Sequence, residues 1–274
     1  MAPDASPSSG GWRVWRQDMA RACVFLTRLP IRWPTAAPGE PDGMAALARA
    51  LRCAPLVGAL VGAAGATVLA LAGMLGLPPL AAAGLALAAT FAITGGLHED
   101  GLADVADGFG GGQDTARKLA IMRDSYVGSY GVAAIVLSLL LRAGALTALA
   151  AVPGGALALI GAHALGRAAM LPVMRGLPPA RADGLGHGAG RPTRAAVGTA
   201  LGLGAGVALL TLGPLAGLVG LLVGALLTGV VARLAVRQVR GYTGDVLGAV
   251  EQTVETAVLL TAASLIGAAG LPYG

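Results

Sequence analysis

Apolar runs long enough to cross a bilayer recur along most of this chain, and nothing else in the sequence restricts the fold so severely. About 20 residues of helix cross the roughly 30 Å of hydrocarbon in a membrane. Runs of that order cover residues 54–75, 80–97, 128–150, 156–174, 195–212 and 215–236, with a last one ending near Ala269. Only 12% of the 274 residues are charged, against roughly 25% in an ordinary soluble domain, and the mean hydropathy is +0.74. Aromatic residues are scarce while alanine and glycine abound, the composition that lets helices approach closely inside a membrane. The predicted fold is all-α: a polytopic integral membrane helical bundle of about seven transmembrane helices, with an amphipathic N-terminal helix.

Residues 1–11, rich in Pro, Ser and Gly, read as a disordered start. Residues 12–43 read as an amphipathic interfacial helix and a link, because Trp12, Trp15, Met19, Val24, Phe25 and Leu26 alternate with arginines as they would at a membrane surface. Residues 44–274 form a single transmembrane domain that carries the chemistry. The turns at 76–79, 151–155 and 213–214 and the tail at 270–274 hold no charge, whereas every alternate connection carries arginine. By the positive-inside rule the amino terminus and the charged connections are cytoplasmic and the carboxyl terminus lies outside. Six spans would follow only with residues 195–236 as a re-entrant pair.

The formal charge of +5 does not point to nucleic acid, since the basic residues are spread over several short loops rather than gathered on one face. Cys23 and Cys53 lack zinc-like or redox spacing and read as free thiols. The first 40 residues contain five arginines and no long apolar core with a cleavage site, so no signal peptide is evident.

Charge concentrates between Thr94 and Gly131, where Glu99, Asp100, Asp104, Asp107, Asp114 and Asp124 stand with Arg117, Lys118 and Arg123. On a helix, Asp100, Asp104 and Asp107 fall at i, i+4 and i+7 and share one face. Carboxylates so placed repel one another unless a cation sits among them, and hard oxygen ligands suit magnesium or calcium. Carboxylates followed by cations are what a metal-bridged diphosphate asks for. The loop 183–191, with Gly184, Gly186 and a closing Arg191, is glycine-rich enough for its amides to approach a phosphate. Within the apolar runs, Arg142, His163, Arg167, Glu251 and Glu255 are costly at membrane depth and should face the bundle interior. Glu251 stands one to two turns from Asp245, near the charged face. His98 and His187 are candidate acid–base groups.

The sequence resembles a known family, the cobalamin synthases, also called adenosylcobinamide-GDP ribazoletransferases. The resemblance is carried by His98 to Gly108 (HEDGLADVADG), Ile121 to Ser125 (IMRDS) with Gly128 and Gly131, the Gly184–Gly186 loop, and Tyr242 to Ala249 (YTGDVLGA) followed by Glu251. It implies a magnesium-dependent, multi-pass enzyme of the cytoplasmic (inner) membrane, with its active site on the cytoplasmic side. The ribose hydroxyl of alpha-ribazole, or of its 5′-phosphate, would attack the cobinamide-side phosphate of adenosylcobinamide-GDP and expel GMP. On this likeness Asp100, Asp104, Asp107 and Asp124 are the expected metal ligands. Arg117, Lys118, Arg123 and Arg191 are expected to hold phosphates, and Asp245 with Glu251 to complete the site. Association with other enzymes of the cobalamin pathway is a further expectation. Two other readings compete. A CDP-alcohol phosphotransferase would use aspartates similarly, but Ala116-Arg117 falls too late after Asp104-Val-Ala-Asp107-Gly108 for its motif. A transporter would use the intramembrane charges as a pathway, yet the charge gathers at one face.

Overall fold

The structure, a computed structural model, describes residues 9–35, 43–181 and 188–267. Among these residues the chain is helical throughout, apart from turns and one isolated bridge between Pro179 and Tyr242. Helix α1 (Ser9–Leu26) begins inside the segment expected to be disordered, and the short α2 (Leu47–Ala50) leads into α3 (Ala54–Met74). Then follow α4 (Pro79–Thr94), α5 (Leu97–Gly111), α6 (Thr115–Ile121), α7 (Ser129–Ala150), α8 (Ala158–Gly176), α9 (Arg194–Leu212), α10 (Pro214–Val239) and α11 (Gly244–Ala262).

Among the described residues six segments are long and apolar enough to cross a membrane, and α4 with α5 makes a seventh only as a pair bent by 91°. The two apolar segments of 195–236 are separate full-length helices, α9 and α10, so the re-entrant alternative falls. The break comes instead after α4. Gly95 and Gly96 both take left-handed backbone (φ 68° and 70°), a conformation only glycine adopts without strain, so α4 stops at Thr94 rather than running to residue 97. The described residues therefore hold six spans, or seven if the bent pair is one, and α4 ends beside α1: Ile93 accepts the amide of Arg28, just past α1, at 2.7 Å.

Helix α8 is the central post, with 83% of its best membrane window buried against 22% for α10 at the periphery. Small residues make that centre possible, since a Cβ on Gly58 or Gly62 of α3 would run into the α8 backbone at His163 and Leu159. Helix α1 is clasped as well as apolar. Asp18, with no exposed surface, pairs with Arg21 (3.6 Å), Arg49 (3.1 Å) and Arg52 (3.0 Å), and Arg52 lies 4.0 Å over the Trp15 ring. Trp12 stays 70% exposed, as an interfacial anchor requires. Cys23 and Cys53 are buried free thiols.

Candidate active site

The bend after Thr94 turns α5 across the charged end of the bundle, outside the long membrane-crossing segments, and carries its acidic face there. What brings the distant Asp245 beside it is a glycine crossing. A Cβ on Gly101 would lie 2.9 Å from the Asp245 carbonyl oxygen, and one on Gly248 would lie 3.2 Å from that of His98. Only hydrogen on both sides lets α5 and the first turn of α11 touch backbone to backbone. Asp100 is exposed and Asp104 half-buried, and no described residue donates a hydrogen bond to either side chain. Burial, then the neighbouring charges of Asp245, Asp100 and Asp107, push the Asp104 carboxyl up to about 7, with Arg181 opposing. Like charges gathered without a partner are a site that wants a cation.

Asp107 is used differently from its helical neighbours. Its two oxygens accept the amides of Gly128 (2.7 Å) and Gly131 (2.9 Å), so it is buried and holds the N-terminus of α7 against α5. Asp245 accepts from Thr243 Oγ1 (3.1 Å) and from Arg181 Nη2 (3.2 Å) on a single oxygen, Oδ2, while Thr243 caps α11 by accepting the amide of Val246. Arg181 is the site residue the sequence did not single out. It reaches Asp245 because Ala180 donates its amide to Tyr242 (2.8 Å) and Tyr242 donates its own to Pro178 (2.9 Å), tying two loops together. No local spacing signals a contact 64 residues apart.

The expected phosphate contacts divide. Arg123 shares with Arg181 a recess of about 320 Å³ beside the acidic face. Arg117 is exposed on α6, whose first turn is capped by Asp114 (2.8 Å). Lys118 is engaged with the side chain of Gln238 and lines a different recess with Arg237 and Arg240. Arg191 donates to the Arg175 carbonyl (2.6 Å) while Arg175 donates to that of Pro192 (2.7 Å). Asp124 is exposed and, among the described residues, accepts only the amide of Tyr126 (3.2 Å). Gly184, Gly186 and His187 lie outside the described residues.

Glu251 does not reach the acidic face. It is wholly buried and ion-paired to Arg167, and Gln252 donates to its other oxygen at 3.0 Å. Glu255, also wholly buried, pairs with His163 (2.7 Å), Arg142 (3.0 Å) and Arg167 (3.2 Å), and Arg142 reaches on to Glu99 (3.2 Å). These residues form one ionic network in the middle of the bundle, consistent with the interior placement expected of such groups. His98 lies at its edge, 2% exposed, and burial followed by the Arg167 charge holds its imidazole neutral.

Hard carboxylate oxygens with guanidinium groups nearby are the donor set that suits a divalent cation and a phosphate ester. Residues 18–263 match the family described as Cobalamin-5-phosphate synthase. An adenosylcobinamide-GDP ribazoletransferase of Bradyrhizobium diazoefficiens is 49% identical over 247 residues, 90% of this chain and 93% of its own. Enzymes of the same name from Mesorhizobium japonicum (45%) and Azorhizobium caulinodans (47%) each cover 89% of this chain, and 92% and 94% of their own lengths. No solved structure matches the chain. At such identity, and with the acidic face, the Asp245 turn and the ionic network all inside the matched region, the chain belongs to the cobalamin-5-phosphate synthase family, the adenosylcobinamide-GDP ribazoletransferases of cobalamin synthesis.

Proposed function

We propose that the enzyme joins adenosylcobinamide-GDP to alpha-ribazole, or to alpha-ribazole 5′-phosphate, in a magnesium-dependent transfer. The ribose hydroxyl attacks the phosphorus nearest cobinamide, the bond to the GMP phosphate breaks, and GMP leaves. Adenosylcobalamin, or its 5′-phosphate, is the product. The observation that carries this reading is the meeting of Asp100, Asp104 and Asp245 beside the recess of Arg123 and Arg181.

The residues fit magnesium on their own chemistry: hard carboxylate oxygens without internal partners, one of them pushed up to about 7 by its like-charged neighbours. Asp100 and Asp104 would hold the ion, with the second oxygen of Asp245. When bound, the ion would neutralise phosphoryl oxygens and ease departure of the phosphate. Arg181, anchored on Asp245, and Arg123 are positioned to hold the diphosphate, with Arg117 at the rim. Asp107 fixes α7 against α5 and so keeps the two free aspartates in place. Glu251 supports the site from behind rather than touching substrate.

The charged face is the cytoplasmic one, in the inner membrane, with the carboxyl terminus outside. That side is where a nucleotide-activated substrate and other cobalamin-pathway enzymes would be met. The decisive experiment is GMP release by purified protein in nanodiscs, given adenosylcobinamide-GDP, alpha-ribazole and magnesium. Wild type should turn over, chelation should stop it, and Asp104→Asn should be folded and nearly inactive. An Asp104→Asn protein that turns over normally would sink the metal assignment.

A further inference from the structure

A cavity of about 220 Å³ opens beside the acidic face, and the transfer chemistry described above does not account for it. Asp100 and Asp245 stand among its lining residues, while Phe25, Leu51, Met170, Met174, Leu247 and Ala189 supply apolar surface from α1, the turn after α2, α8, α11 and the loop before α9. Among the described residues one further polar side chain lines it: His98, 2% exposed, with neither ring nitrogen hydrogen-bonded. Its Nδ1 is 3.7 Å from Glu251 Oε2, beyond hydrogen-bond reach. A neutral imidazole carries one proton, on either ring nitrogen, so His98 can present a donor to a ligand in the cavity.

We infer that this cavity receives the aromatic base of the ribazole substrate, a dimethylated benzimidazole; the inference rests on the proposed transferase reading. Each group of the two substrates can be weighed by its need for polar partners. Guanine carries several donors and acceptors, and burying each of them without a partner is unfavourable. A corrin ring bears many amides and is far too broad for the space. The benzimidazole is flat and bicyclic, carries two methyl groups, and has a single free acceptor nitrogen. One buried donor satisfies it, and His98 is one donor. The two methionines suit such a ring, since thioether sulfur packs favourably against aromatic edges. With the base seated, the attached ribose would emerge between Asp100 and Asp245, on the side where the phosphates are held.

The test follows GMP release in nanodiscs with each substrate varied in turn. Ala189→Leu projects three added carbons into the cavity and should raise KM for alpha-ribazole about tenfold or more, leaving KM for adenosylcobinamide-GDP unchanged. The increase should be smaller for the riboside of benzimidazole without methyl groups. Met174→Ala enlarges the cavity and should shift preference toward the larger naphthimidazole riboside. His98→Phe should raise KM for alpha-ribazole selectively, and His98→Gln should recover part of the loss. Equal changes in both KM values, or no change in base preference in either size variant, would overturn the inference while leaving the transferase reading intact. Should wild type release no GMP, that reading fails by itself, and equilibrium dialysis with dimethylbenzimidazole decides the cavity. Binding by wild type and its loss in Ala189→Leu supports the assignment; no binding by wild type ends it.

Discussion

Two groups of acidic residues lie close together in this molecule and have opposite fates. Asp100 and Asp104 reach the charged face without a hydrogen-bond donor, beside an Asp245 that has one oxygen engaged. Glu99, Glu251 and Glu255 point into the bundle, where Arg142, Arg167 and His163 meet them. Glu99 and Asp100 are adjacent in sequence, so a rotation of one residue on α5 separates a structural charge from a ligand-seeking one. The comparison teaches that acidity near a membrane face does not by itself define a site; the partners that each carboxylate meets sort one role from another.

Removing a cation from the buried group should do the most damage. Arg167→Met strands Glu251 and Glu255 without their shared guanidinium, and breaking a buried pair costs about 3–5 kcal/mol. Thermal unfolding in nanodiscs should register that loss. At the open group the sign reverses. Asp104→Asn should lower transfer by roughly 10²–10³-fold, the scale for losing a preorganised electrostatic contact, yet it should melt no lower than wild type, because a repulsion has been removed.

The pH dependence sharpens the same contrast. In the fold the Asp104 carboxyl is raised to about 7, against about 3.9 unfolded. The folded state therefore binds the extra proton between those values, and stability falls as pH rises through that window. The loss is complete above pH 7. Magnesium should flatten the slope, Asp104→Asn should abolish it, and transfer activity should rise through pH 7 as the carboxylate becomes available. Melting temperature against pH, with and without magnesium, reads all of this except the rate.

Asp107→Asn should fall between the groups. It removes one of two acceptors from the buried amides of Gly128 and Gly131, a cost of about 1–3 kcal/mol, and it should weaken activity only through the position of α7. The smallest effect is expected at Asp124. It is exposed and holds one amide, so Asp124→Ala should change stability by less than about 0.5 kcal/mol and leave GMP release nearly unchanged.

Much of the architecture was legible in the chain. Expected spans and observed helices differ by only a few residues for α3, α7, α8, α9 and α10. The alternation of charged and uncharged turns brought the acidic segment and the Asp245 turn to one end. The second span was overextended to residue 97 because apolar character continues past the point where two glycines break the helix. Helical spacing gathered Asp100, Asp104 and Asp107, but it could not reveal that Asp107 is claimed by amides more than twenty residues later. Nor could it show that Glu251, near Asp245 in sequence, faces Arg167 instead.

Residue order alone is enough to establish a membrane bundle, where the chain turns, and that carboxylates collect at one end. It could do so because hydrocarbon forces each segment to satisfy its own backbone, which makes spans a local property. Helix packing settles which carboxylates are paired and which are open, that Arg181 joins Asp245, and that an apolar cavity stands beside them. Those facts depend on side chains from different helices meeting at hydrogen-bond distance, and local spacing carries no record of such meetings.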